Sequence, residues 1–337
     1  MNYCGIDLHS NNCVVIVSDE EDRIVYGKRL PNDLALIRAA LEPYRHALKG
    51  VVVESTYNWY WLVDGLTDTG YSVHLAHPAA IRKYEGLKHS GDFADAAYLA
   101  QLLRLGLLPE GYVCPREQRS ARDLARKRMQ LVRCRTAQIL SIEGIMIRQT
   151  GIRIKSDAVK RLTAAQVNEL ALPADVALAM EANRAVSEAL EQQIELLEKR
   201  LKERVSLRPE YHLLKTVPGI GQTLATTIML ETGSISRFAQ VGNFSSYCRC
   251  VDSLRESNGK KKGEGNTRNG NKYLAWAFVE AANFAIRYSP QARSFYDRKK
   301  SRTNRVLATK ALAHKLARAC YYMLRDQKPF DAHLCFG

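Results

Sequence analysis

Tyr3-Cys4-Gly5-Ile6-Asp7-Leu8-His9, a polar turn, and then Cys13-Val14-Val15-Ile16-Val17 decide the fold of this chain. Both runs are apolar and the second is rich in β-branched residues, so each reads as a strand of a sheet interior. Asp19 to Asp22 is a polar turn and Arg23 to Leu30 a third strand. Three strands this close in sequence form an antiparallel meander. Working outward, Asn32 reads as a helix cap, with helical spacing over Leu34 to Leu48. Val51-Val52-Val53 is a short buried strand ending at Glu54. A helix over Trp61 to Thr69, a strand over Tyr71 to Leu75 and a helix from Asp92 to about Leu105 follow. The order β-β-β-α-β-α-β-α predicts one mixed sheet with helices on its faces.

After Pro109 and Pro115 the texture changes. Residues 116–150 hold almost no Gly or Pro, and residues 174–206 are rich in Ala, Glu and Leu. Both read as long helices broken apart at Gly151 and Pro173. So long a polar face suits a coiled coil or helical hairpin, either a dimerisation element or a spacer within the chain, with dimerisation favoured. From Tyr211 onward there is a third region: a turn at Val217-Pro218-Gly219-Ile220-Gly221, a basic loop from Arg249 to Asn271, and a closing helical stretch from Tyr273 to Leu324. The division expected is 1–108 for the α/β domain, 109–208 for the helical segment and 209–337 for the C-terminal domain.

The 337 residues carry 50 Lys and Arg against 35 Asp and Glu, a net charge of +15. Such a field draws in polyanions and points to nucleic acid. No run of about 20 apolar residues can span a membrane, and Met1 to Cys4 leads directly into a strand, so no secretory leader is expected. The eight cysteines are scattered without a CxxC pair, which predicts reduced thiols rather than zinc or a disulfide framework. The expected location is the cytoplasm.

Four carboxylates stand where an RNase H-like fold would gather them. Asp7 ends the first strand, Glu54 ends the strand expected beside it, and Asp92 and Asp95 are three apart on one helix face. Such a charge density becomes favourable when one or two Mg²⁺ (or Mn²⁺) ions fill the pocket and bind phosphate oxygens. Singly, each acid also reads as a turn former, and Asp92 as a helix cap. Trp59, Tyr60 and Trp61, behind Glu54, read as core packing or as a platform for an unpaired base.

The C-terminal region offers a second chemistry. Leu213 to Gly221 resembles a helix-hairpin-helix turn, in which Gly219 and Gly221 would present backbone N–H groups to a phosphate; a plain helix–helix turn is the alternative. In Arg255-Glu256-Ser257-Asn258-Gly259-Lys260-Lys261-Lys262 a serine precedes three lysines. Lys260, Lys261 and Lys262 would hold phosphate. Ser257 could attack a phosphodiester and keep the bond as a serine ester, or it could merely hydrogen-bond the phosphate. Ser253 is a lesser rival. Arg126-Lys127-Arg128 and Arg298-Lys299-Lys300 add candidate backbone contacts.

Gly5-Ile6-Asp7-Leu8-His9, Val53-Glu54-Ser55-Thr56 and Asp92-Phe93-Ala94-Asp95-Ala96-Ala97-Tyr98-Leu99-Ala100 together resemble the DEDD signature of the IS110-type transposases. Glu256-Ser257-Asn258-Gly259, Asn269-Gly270-Asn271-Lys272-Tyr273-Leu274 and the helix from Ala308 to Leu324 resemble that family's second domain. The resemblance covers almost the full chain. It implies a RuvC-like N-terminal domain with Asp7, Glu54, Asp92 and Asp95 as a metal-binding tetrad, and Ser257 as nucleophile, with Lys272 near the DNA. It further implies a structured guide RNA encoded by the element. Three departures stand out: Ser90-Gly91, with Lys88 slightly upstream, stands where the family usually has a Lys-Thr pair before the third acid; Asn258 separates the serine from its glycine; and Cys248-Arg249-Cys250-Val251-Asp252 replaces the family's Gly-Leu-x-Pro.

The function expected is DNA strand cleavage and rejoining for movement of a mobile element, with element ends and target DNA as substrates and a homodimer or homotetramer as the working unit. A DNA invertase of the same architecture, a RuvC-like junction nuclease that uses water, and a non-catalytic nucleic-acid-binding protein are the alternatives.

Overall fold

The computed structural model describes residues 1–81, 91–251, 254–264 and 269–337. They fold as two compact units, Met1–Val113 and Cys114–Gly337.

The first unit is built on a five-stranded sheet. Its strands are β1 (Asn2–Leu8), β2 (Asn12–Ser18), β3 (Ile24–Pro31), β4 (Leu48–Glu54) and β5 (Val73–Ala76), in the order β3-β2-β1-β4-β5. The first three form the antiparallel meander expected from the sequence, while β4 is parallel to β1 and β5 to β4. Side chains alternate across the sheet. Cys4, Ile6, Leu8, Val51 and Val53 pack with α1 (Leu34–Leu41) and α2 (Tyr60–Asp68) on one face. Val14, Ile16 and Val52 pack on the other against Ala96 and Leu99 of α3 (Asp92–Arg104). Trp59 is buried in the first of these cores, with Tyr60 and Trp61 partly buried against it, so this aromatic trio is core packing.

Gly5 fixes how closely α3 approaches. A Cβ there would stand 1.9 Å from the Ala96 carbonyl oxygen and 2.9 Å from the Ala100 nitrogen. Only a residue without a side chain lets the helix lie directly on β1.

The helix expected over Leu34 to Leu48 is shorter. After Leu41 it tightens into a 3₁₀ turn at Glu42–Tyr44, and Leu48 already belongs to β4. Pro43 lacks the N–H that another helical turn would need, and Leu48 gains a strand partner in Asn2.

In the second unit α4 (Arg116–Thr150) and α7 (Ala174–Val205) are the two long helices. Arg128 pairs with Glu198, Arg135 with Glu191, and Asn183 bonds Ser141 at 3.2 Å. One number rises as the other falls, so the helices run antiparallel as a hairpin within the chain. Short α5 (Ser156–Val159) and α6 (Ala164–Glu169) close its tip around Ile142, Met146, Val159, Val167 and Met180. At its base, Ala121, Leu201 and Val205 enter the large core of the C-terminal helices.

Those are α8 (Pro209–Lys215), α9 (Gln222–Thr232), α10 (Val241–Tyr247), α11 (Lys272–Tyr288), α12 (Pro290–Arg302), α13 (Arg305–Asp326) and α14 (Ala332–Phe336). The closing helical stretch is therefore three main helices. Ser289 caps α12 ahead of Pro290 and Asn304 caps α13, so the chain turns at each. The basic segment after α10 is not all loop. It holds a hairpin of β6 (Leu254–Ser257) and β7 (Lys260–Glu264). Asn258 and Gly259, with φ of 54° and 69°, form its two-residue turn, the Asn-Gly pair that two-residue hairpins favour. Among the described residues no helix is long and apolar enough to cross a membrane.

Candidate active site: an acidic cluster and a serine hairpin

Period two explains the acidic cluster. Asp7 follows Gly5 by two residues and Glu54 follows Val52 by two, so both face α3. Gly5 and Val52 are themselves register partners. Asp92 and Asp95 lie in the first turn of α3, where the helix dipole favours negative charge. Asp92 is the first helical residue and Gly91 the cap, so its carboxylate does not serve as the cap. It meets Arg29 of β3 and stands 3.5 Å from His9 Nε2.

Asp7 is only 4% exposed. Burial raises its carboxyl above the ordinary carboxylate range. A hydrogen bond with Glu54 and the nearby His9 oppose this, and Asp92 and Asp95 push it further up. Glu54, Asp92 and Asp95 thus all act on Asp7. Arg29 chiefly holds Asp92 below the ordinary range, helped by His9.

The donor set fits a hard divalent cation. One ligand atom each from Asp7, His9 and Asp92 lies within 4.8 Å of the others; Glu54 is tied to Asp7 by a hydrogen bond, and the charge of Asp95 reaches Asp7 as well. A buried carboxylate ringed by other carboxylates is costly until positive charge joins it.

Sequence reasoning gives His9 and Arg29 no role, although their signals are present. His9 follows Asp7 by two residues and so shares its face. Asp7 pairs with Val14 and Val14 with Arg29, so the meander register sets all three in one row across the sheet. Asn32 Nδ2 and Asn58 Nδ2 donate to the His9 carbonyl at 3.0 and 2.9 Å and hold the end of β1 in place.

In the second unit Ser257 ends β6 and pairs in register with Lys260 across the turn. Asn258, Gly259, Lys260 and Lys262 are exposed, and Lys261 lies on the same strand as Lys260 and Lys262. Ser253, the rival serine, lies outside the described residues. Gly219 has φ +92°, and a Cβ there would stand 2.4 Å from the Ala281 carbonyl oxygen. This glycine therefore has a packing reason of its own, whereas Gly221 is open. The turn lines a groove of about 570 Å³ with Lys215, Phe284 and Tyr288.

The other basic candidates differ in what already holds them. Arg126 makes a two-pronged ion pair with buried Glu231, and Arg128 pairs with Glu198. Lys127 is exposed and bonds Gln130 at 3.2 Å. Lys272 is exposed, with its ammonium 5.3 Å from the Tyr273 ring centre.

Residues 4–149 match the profile of a DEDD-type IS110 transposase domain, described as "Transposase". Residues 211–297 match a second profile, described as "Transposase IS116/IS110/IS902 family". The transposase of insertion sequence element IS1328 of Yersinia enterocolitica is 23% identical over 97% of this chain and 98% of its own length. An IS110 protein of Streptomyces coelicolor is 25% identical over 44% of this chain and 37% of its own. An IS116 protein of Streptomyces clavuligerus is 23% identical over 51% of this chain and 44% of its own. The chain thus matches less than half the length of either Streptomyces protein. The two profiles are of one family and match in the same order along the chain, and the chain belongs to the IS110 family of transposases.

Proposed function

We propose that this chain moves a mobile DNA element by cleaving strands at an RNase H-like, RuvC-like acidic centre and rejoining them through a covalent serine ester. The observation that carries the reading is the convergence of Asp7, Glu54, Asp92 and Asp95 on one face of the sheet, where α3 begins. The strand order, with an antiparallel meander extended by two parallel strands, supports the RNase H-like assignment. Residues 1–108 would carry the metal centre, 109–208 assembly, and 209–337 the serine chemistry and DNA contacts.

Asp7, Glu54, Asp92 and Asp95 would hold Mg²⁺ or Mn²⁺, which supplies Lewis-acid stabilisation of charge on the attacking and leaving oxygens. Ser257 Oγ attacks phosphorus. Its bond to phosphorus forms as the bond to a deoxyribose oxygen breaks; the hydroxyl proton leaves, and the departing oxygen takes one up. The ester conserves the energy of the broken diester, so joining needs no ATP. Lys260, Lys261 and Lys262 beside the serine stabilise the phosphate charge. Lys127, Lys272 and the turn at Gly219 and Gly221 are the further backbone contacts. Arg126 and Arg128 would have to divide their guanidinium donors between their carboxylate partners and the phosphates.

DNA is the substrate, and a structured RNA encoded by the element selects it. The working unit is a homodimer or homotetramer acting in the bacterial cytoplasm. Leu140, Ile147 and Leu178, exposed on the helical hairpin, support association through that segment.

The test is a denaturing trap. Wild-type protein with Mg²⁺ should remain attached to a DNA end; Ser257→Ala should not, and Ser253→Ala should. Cleavage with no adduct, or joining by Ser257→Ala, would reduce Ser257 to a phosphate contact and leave a RuvC-like nuclease that uses water.

A further inference from the structure

The segment that carries Ser257 is closed at its base by polar contacts. The Asn271 N–H donates to the Tyr247 carbonyl at 2.6 Å. The Arg249 guanidinium donates to the carbonyls of Asn269 and Gly270 at 2.9 and 3.1 Å. Gly270 sits at φ +86°, and a Cβ there would stand 2.6 Å from the Tyr247 oxygen. The outgoing and returning chains therefore touch in a clasp, and the hairpin of β6 and β7 lies between them in the sequence.

Asn271 links the clasp to the core. Its Oδ1 accepts from the N–H groups of Tyr273 and Leu274 and so caps α11. Its Nδ2 donates to Glu231 Oε2 at 2.7 Å. Glu231, on α9, is 4% exposed. The same carboxylate accepts from Arg126 of α4 at 2.6 and 2.8 Å. One buried anion thus joins the helical hairpin, α9 and the end of the serine segment.

A buried ion pair is a weak source of stability, since desolvation offsets most of the attraction and an apolar replacement often packs as well. Its use here is directional. The carboxylate accepts from fixed donors along fixed lines, so it sets where Asn271 stands and with it where the clasp begins. We infer that Glu231 and Asn271 are positioning residues for the serine hairpin. The inference rests on the reading of Ser257 as nucleophile, because that is the group whose placement would matter.

An exchange of donor and acceptor tests it in the full-length protein. Asn271→Asp still caps α11 but sets a carboxylate against Glu231. Adding Glu231→Gln restores a donor to that pair, with the roles reversed. Two properties would be read: amide-hydrogen exchange over residues 254–264, and joining rate at saturating plasmid carrying the gene with its flanking DNA. Losing a charged buried hydrogen bond predicts hairpin exchange faster by roughly ten- to a hundredfold in Asn271→Asp. The joining rate should fall with it, DNA affinity should hold, and the double variant should recover both properties. Asn271→Ser, which caps α11 yet is too short to reach Glu231, should reproduce the single defect if Asn271→Asp does not fold. Unchanged hairpin exchange in the single variants, or no recovery in the double, would overturn the inference. Exchange that speeds up and recovers while joining stays constant would retain the positioning and overturn the serine reading.

Discussion

His9 Nε2 lies 3.2 Å from Asp7 Oδ2, at the end of the strand whose buried carboxylate anchors the acidic cluster. The imidazole also faces Asp92, so one side chain touches an acid from the sheet and an acid from the helix. The histidine thus bridges acids from two elements, and within the cluster Asp92 and Asp95 repel the Asp7 carboxylate.

That repulsion has a measurable sign. The Asp7 carboxyl titrates higher in the fold than in the unfolded chain, chiefly through burial. Its charged form thus destabilises the ion-free fold. The penalty is absent below the unfolded value, grows as pH rises to the folded value, and is constant above it. Asp7→Asn should raise the melting temperature of ion-free protein at neutral pH, with the gain vanishing in acid. It should also lose most of the stabilisation that Mg²⁺ gives the wild type, and abolish cleavage. Equal melting temperatures at neutral pH would show that Asp7 carries no such penalty.

Gly5→Ala places a methyl group where the Ala96 carbonyl already stands. Helix α3 must move off β1, at about 1–3 kcal/mol for an overpacked interface. Asp92 and Asp95 would move with it. Reduced Mg²⁺ affinity, measured by calorimetry, should accompany the lower stability. Full metal affinity in a destabilised variant would separate the helix position from the site.

Replacing Lys260, Lys261 and Lys262 by Ala should flatten the dependence of DNA affinity on salt. Each duplex phosphate that the variant no longer neutralises takes about 0.9 off the log–log slope. A lower affinity with an unchanged slope would mean that the hairpin does not neutralise phosphate.

Assembly can be tested by mixing. The acids and Ser257 belong to different compact units, and complementation asks whether one protomer can supply the acids and another the serine. Asp7→Asn and Ser257→Ala proteins, each inactive alone, should regain activity together. Heterodimers that form and remain inactive would place both chemistries within one chain.

Much of this was legible in the residues themselves. The meander, Val51 to Glu54 and the two long helices follow from local periodicity, and period two alone turns Asp7 and Glu54 to one face. Even the Asn258-Gly259 turn is a local signal, masked by the lysines around it, which read as a loop. The partners of charged side chains were not legible. Arg126 stands in a basic triplet that reads as a phosphate contact, yet Glu231, 105 residues later, takes its guanidinium. Arg29 reaches Asp92 across 63 residues. Local order depends on neighbours a few positions apart, and the sequence by itself determined the elements and the faces of their acids. Which charges stay exposed, and which are held within the protein, depends on packing between elements distant in the chain, and only the tertiary structure decided it.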